Sequence, residues 1–338
     1  MRCSLLVLTW LSLTACFAHG DVSPEVGADA PFAGFHRSAH FGEWVREGAF
    51  EPDARYLVNV AGDFDPERPT ETVYYALPNG NTIEQTAGRM MTPGLDWHFD
   101  IQHIAAQTRA LRRVMTDRNL VTVYLEAGGR SWPAWRREHG NPGSHLIRLL
   151  DEAFPLLDES TTRVLCAHSG GGSLITGILN ASDEIPDTIT RIAYLDANYS
   201  YDDGEGHGDK LLAWLRRDPA HALIAVCYDD RTITLNGRPV LSTPLAGTYG
   251  ATQRMIARMR RDVDLAETRE GDFLCFTGLG GRIDLRIHTN PENVILHTVL
   301  VGEMNGFIHA LTLGTPHEGA AGRLEMGRAY SEWIQDGE

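Results

Sequence analysis

Arg163-Val164-Leu165-Cys166-Ala167-His168-Ser169-Gly170-Gly171-Gly172 is the stretch that decides the fold. A short apolar β-run leads directly into a serine flanked by small residues. A helical pattern with Leu174, Ile175 and Ile178 on it begins immediately behind. That order predicts a sharp strand-to-helix turn with the serine hydroxyl standing at the end of a sheet strand. Only small residues fit two positions either side of such a serine. Ala167 and Gly171 occupy those positions, and the methyl group of Ala167 is still small enough. A glycine-rich turn that merely starts a helix would read the same way. A phosphate-cradling loop would need a G-K-[ST] ending or G-x-G-x-x-G, and neither is present.

Working outward from this turn, strand-like runs alternate with helical patterns. The strand candidates are 56–60, 72–77, 120–125, 191–195, 222–228, 273–276 and Val294–Val301. Helical periodicity covers 99–115, the stretch behind Ser144, 211–215, 253–261 and a closing segment at 323–334. Such alternation predicts an α/β fold: a doubly wound, mostly parallel sheet with helices on both faces, forming one domain over 55–338. Residues 21–54 are polar and Pro/Gly-punctuated, and are expected to form an irregular lead-in. Gly237–Gly250 and Gly278–Arg282 mark a loop or lid excursion within 237–290.

The 338 residues carry a net charge of -15, and Lys210 is the only lysine. No basic stripe exists, which argues against a nucleic-acid partner. The first twenty residues hold the apolar block Leu5–Leu13 behind a single Arg2. The block is too short to span a bilayer comfortably and reads as a signal peptide over 1–20. Leu13-Thr14-Ala15-Cys16 resembles a lipobox that would leave Cys16 lipidated, and Ala18 and Gly20 equally suit cleavage before Asp21. Either way the chain is expected to be exported, whether periplasmic, secreted or lipid-anchored. No later segment is apolar enough to cross a membrane. Cys166, Cys227 and Cys275 lie in apolar strand-like runs and read as buried thiols, and no zinc spacing occurs.

From the elbow at Ser169 and the alternation around it, residues 55 to 335 resemble the α/β-hydrolase superfamily. The resemblance implies a catalytic triad in the chain order Ser, Asp or Glu, His, each at a strand's C-terminal end. Ser169 matches the nucleophile, and the Gly170 N–H matches the first oxyanion donor. The second donor falls in the loop 77–82, where Gly80 is the candidate. The base is expected in a loop past the last strand. His309, just past the run 294–301 with Gly306 as a small turn residue before it, is the expected base; His297 falls inside that strand and is expected to point into packing, and His317 is the reserve. His168 is beside the serine and is expected to line the substrate pocket. Two strand ends offer the acid: Asp196, and the pair Asp229 and Asp230. Arg231 beside that pair favours an ordinary ion pair, so Asp196 is preferred and Asp230 is the alternative. Trp132 and Trp135 are candidate pocket walls, with Arg130 placed to meet a substrate carboxylate. The resemblance implies a serine hydrolase that cleaves a small-molecule ester or amide through an acyl-enzyme, with no metal and no cofactor. An amidase or peptidase acting on cell-wall or peptide material, and a non-catalytic binding protein on the same fold, are the alternatives.

Overall fold

The computed structural model describes residues 30–235, 237–243, 245–324 and 327–336. The segment 1–20, expected to be a signal peptide, lies outside the described residues, and with it the lipidation candidate Cys16.

The chain opens with β1 (His36–Arg37), β2 (Trp44–Phe50), β3 (Ala54–Val60) and β4 (Thr70–Ala76), followed by α1 (Ile83–Ala87) and α2 (Ile104–Val114). Next come β5 (Asn119–Ala127), α3 (Trp132–Glu138), α4 (Gly143–Ala153), β6 (Thr162–His168) and α5 (Gly172–Leu179). Then follow β7 (Ile189–Leu195), α6 (His207–Arg217), β8 (Ala222–Tyr228), a small hairpin of β9 (Thr234–Leu235) and β10 (Arg238–Pro239), and α7 (Gly247–Met259). The chain closes with β11 (Ala266–Glu270), β12 (Phe273–Gly278), β13 (Ile283–His288) and α8 (Gly306–Thr312).

Among the described residues, eleven strands form one sheet in the order β1-β2-β3-β5-β4-β6-β7-β8-β13-β12-β11. The centre, β5 through β13, is parallel, and antiparallel strands extend both edges. Central strands are apolar on both faces because helices cover both. Along β4, Val73 and Tyr75 face one core with α2 and α8. Tyr74 and Ala76 face the other, with α4, α5, α6 and α7. This is the α/β-hydrolase arrangement that the sequence resembles. Its chain leaves β4 for β5 on one side and returns to β6 on the other. At such a switch point the loops at the strands' C-terminal ends splay apart and open a site.

Four expectations are corrected. The lead-in is not irregular throughout: β2 is a full antiparallel partner of β3. Its buried Trp44 and Phe50 are separated by Arg46 and Glu47, which broke the apolar pattern. Val294–Val301 is not a strand. Asn290 and Asn293 turn the chain at positive φ, and Leu300 N–H then bonds back to Leu296 O at 2.9 Å. Leu296, Leu300 and Val301 are buried against the α8 face, and a short apolar run alone does not separate strand from turn. The last parallel strand is instead β13, hidden in the sequence by Asp284 and Arg286. Those two neutralise each other on one face, with Arg286 Nε donating to Asp284 Oδ1 at 2.8 Å. The 237–290 excursion narrows to the segment around β9 and β10, since α7 and β11–β13 belong to the domain body. Where a closing helix was expected, the described residues hold turns and one 3-10 turn at Ser331–Trp333.

Candidate active site

Ser169 follows β6 with φ +53, in the left-handed region that a side chain adopts at about 1–3 kcal/mol of strain. The turn survives because α5 anchors it: Leu174, Ile175, Ile178 and Leu179 are all buried, each worth roughly 1.5–3 kcal/mol. The glycines are required by close approach. A Cβ on Gly171 would lie 2.2 Å from Ala76 O, and one on Gly172 1.7 Å from Ala197 O. The helix start is thus wedged between the ends of β4 and β7.

Asp196 leaves the end of β7 at φ +48 and is almost wholly buried. Its Oδ2 accepts from His297 Nδ1 at 2.5 Å, and its Oδ1 accepts from the hydroxyl of Thr248 at the start of α7. The carboxylate is therefore held on both oxygens. Burial pulls the His297 pKa down, but the hydrogen bond and charge of Asp196, with the charge of Asp230, outweigh it and leave it raised. His297 is half-buried, in the loop past β13.

His168 does not line a pocket. It is buried, and its Nε2 donates to the carbonyl of His297 at 3.0 Å. The two rings lie 4.7 Å apart. Burial and the charge of His297 hold its pKa well below the ordinary value, so the ring is neutral. Since a carbonyl only accepts, the proton sits on Nε2. The residue preceding the serine thereby fixes the backbone of the histidine that meets Asp196.

His309 is placed elsewhere. It is buried in α8, and α8 is tied to the start of β7 by Arg191, which donates to Ala310 O at 3.2 Å and Leu313 O at 3.0 Å. Arg191 lies four residues before Leu195, the register partner of His168, or about 13 Å down the strand. Burial, then the charges of Arg286 and Arg191, press the His309 pKa down to about 3. The misplacement follows from the misread strand. With β13 as the last strand, the loop past it contains His297. His317 pairs with Asp117 at 3.0 Å, beside the start of β5 and away from the elbow.

Of the acid candidates, Asp229 makes the expected ion pair with Arg231, at 2.9 and 2.7 Å. Asp230 is buried with Oδ1 unpartnered among the described residues. Burial, then the charge of Asp196, raise its pKa to about 7. Gly80 donates its N–H to Arg130 O at 2.9 Å, so that donor is already engaged. Its neighbour Asn79 lies over the elbow instead: a Cβ on Gly170 would fall 2.1 Å from Asn79 Oδ1 and 2.6 Å from Nδ2. The Pro78-Asn79-Gly80 turn was visible in the sequence, but which of its residues turns inward was not. Trp132 and Trp135 are core residues rather than pocket walls. Their indoles are buried edge-to-face at 5.4 Å and donate to Leu125 O and Pro52 O. Arg130 is exposed, with Nη1 3.3 Å from Gly80 O. Cys166, Cys227 and Cys275 are free and buried. No helix among the described residues is long and apolar enough to cross a membrane.

No family model matches the sequence, and no curated protein matches it. Solved structures do. The feruloyl esterase module of Clostridium thermocellum is 13% identical over 64% of this chain and 73% of its own, with a TM-score of 0.40. A glucuronoyl esterase from Solibacter usitatus is 11% identical over 84% of this chain and 86% of its own, with a TM-score of 0.41. A siderophore hydrolase of Aspergillus nidulans is 12% identical over 84% and 96%, with a TM-score of 0.37.

Proposed function

We propose that this chain is a serine hydrolase of carboxylic esters, with Ser169 as nucleophile, His297 as general base and Asp196 as the residue that orients it. The observation that supports this most is the 2.5 Å bond from His297 Nδ1 to buried Asp196, in loops at the same sheet edge as the strained Ser169 turn. With Nδ1 committed to Asp196, Nε2 is the nitrogen free to take a proton. The serine Oγ attacks the ester carbonyl and passes its proton to Nε2. The tetrahedral oxyanion is met by the Gly170 N–H and by Nδ2 of Asn79, which rests beside Gly170. The imidazolium then gives its proton to the departing alkoxide, leaving an acyl-serine. Water, deprotonated by the same Nε2, attacks the acyl-serine, and the proton returns to Ser169. Thr248 and His168 hold the pair in place: one binds the second oxygen of Asp196, the other the backbone of His297. An ester is preferred to an amide because an alkoxide leaves with less help from an acid. The same proposal includes export, which rests on the apolar block Leu5–Leu13.

A fluorophosphonate probe tests this reading. Labelling of the wild type that disappears in Ser169→Ala supports it. Labelling that persists in Ser169→Ala, or unchanged esterase activity in His297→Ala, defeats it.

A further inference from the structure

Helix α8 carries a histidine that the hydrolytic centre does not use. His309 is buried, and its Nε2 has no hydrogen-bond partner among the described residues. A buried polar atom left unpaired is rare and asks for an explanation, and an absent ligand is one. The residue lines a cavity of about 370 Å³, together with Arg286 of β13, Glu270 of β11, Thr312, Glu318 and Arg323. The volume is in the range of small-molecule sites. Neither Ser169, Asp196 nor His297 lines it, and α8 is tied to the start of β7, away from the elbow.

His309 and Arg286 are the buried polar groups of the wall, while Glu270, Glu318 and Arg323 are exposed at its rim. Arg286 gives Nε and Nη2 to Asp284 and Nη1 to Glu270, three bonds that leave part of its donor fork unused. Arg191 bonds only to carbonyls among the described residues, and Glu71 and Glu318 are the acids whose charge reaches it. At the His309 ring the arginines prevail: burial, then the charges of Arg286 and Arg191, hold it neutral. An anion at that ring meets a positive field and favours a proton on it. The rim carboxylates Glu270 and Glu318 repel a second negative charge, so a monoanion suits the cavity better than a dianion. A carboxylate also matches the planar fork of Arg286, and buried Leu324 offers an aliphatic group its contact. We propose that this cavity binds a small organic monocarboxylate, whose oxygens accept from the His309 ring and from the unused N–H groups of Arg286. The site is independent of the hydrolase reading.

The test is calorimetric titration of sodium butyrate into the protein at about pH 6, where the ligand is ionised and the free His309 ring is neutral. Butyrate should bind, and neutral butyramide and the butylammonium cation should not. Titration in buffers of different ionisation enthalpy should report proton uptake, and affinity should fall several-fold from about pH 6 to about pH 7. His309→Gln, polar and unable to take a proton, should abolish the uptake and weaken binding about tenfold. Glu270→Gln, at an exposed position, should tighten binding a few-fold by releasing Arg286 Nη1 and removing a rim charge. Ser169→Ala should leave butyrate binding unchanged. Absence of butyrate binding, equal binding of butyramide, or weaker binding in Glu270→Gln overturns the site. Loss of binding in Ser169→Ala also overturns it, since butyrate would then occupy the hydrolytic centre as a product.

Discussion

The segment around His297 and the helix around His309 place two imidazoles in opposite electrostatic settings. His309 is buried and His297 partly so. His297 meets a buried carboxylate on Nδ1, and its pKa rises. His309 meets the charges of Arg286 and Arg191 and no carboxylate partner among the described residues, and its pKa falls to about 3. Burial acts in the same direction on both, and the sign of the neighbouring charge decides which ring remains a usable base near neutral pH. Asp196 thus marks the histidine proposed as the base better than distance along the chain does.

The largest effect that tests this contrast is on turnover. His297→Ala should lower kcat by at least about 10⁵-fold, while His309→Leu leaves kcat within a few-fold, both read with a soluble ester. A large loss in His309→Leu alone would break the comparison. Next comes Asp196→Asn, which should cost about 10⁴-fold by leaving His297 in the wrong tautomer. Asp230→Asn should cost far less, and equal losses would make both aspartates part of one acid unit. Asn79→Ala should lower kcat by about 10²-fold if its carboxamide meets the oxyanion, with KM little changed.

The smallest effects are in pH dependence. The acid limb of kcat/KM should lie above the ordinary imidazole value, because His297 must lose a proton that Asp196 holds on it. Asp196→Asn should move that limb to lower pH in the residual activity. In stability, the raised pKa of His297 makes its pairing with Asp196 fully favourable below about pH 6.5. That contribution is lost as pH rises through the folded value. The lowered pKa of His309 does the reverse: its contribution is present above about pH 6.5 and is lost as pH falls toward 3. Thermal melts of His309→Leu should therefore show a weaker acid-side decline than the wild type, and an unchanged decline would remove His309 from this account.

How legible each part was follows from how local it is. The elbow was readable because strand, turn and helix are contiguous, and because the serine's neighbours must be small where Gly171 and Gly172 approach Ala76 O and Ala197 O. Asp196 was readable for a related reason. It comes straight off an apolar strand with no adjacent cation, so a buried partner was required. β2 and β13 were missed because each carries charged residues inside the strand, and those charges are satisfied by partners that the linear pattern does not display. Asp284 with Arg286 is the clearest case. The tryptophans were misread for the opposite reason. Trp132 and Trp135 fall just past a strand end, but α3 folds them inward, where backbone carbonyls take their N–H groups.

The sequence by itself determined the alternation of strand and helix, the tight turn at Ser169 and the pool of acids at two strand ends. These depend on periodicity and on side-chain size over a few residues. Only the tertiary structure decided that β13 is the last parallel strand, that His297 and not His309 meets Asp196, and that Asn79 and not Gly80 lies over Gly170. Those outcomes depend on which distant groups share a buried environment. An imidazole's charge is set by the sign of whatever packs against it, and residue order does not specify that partner.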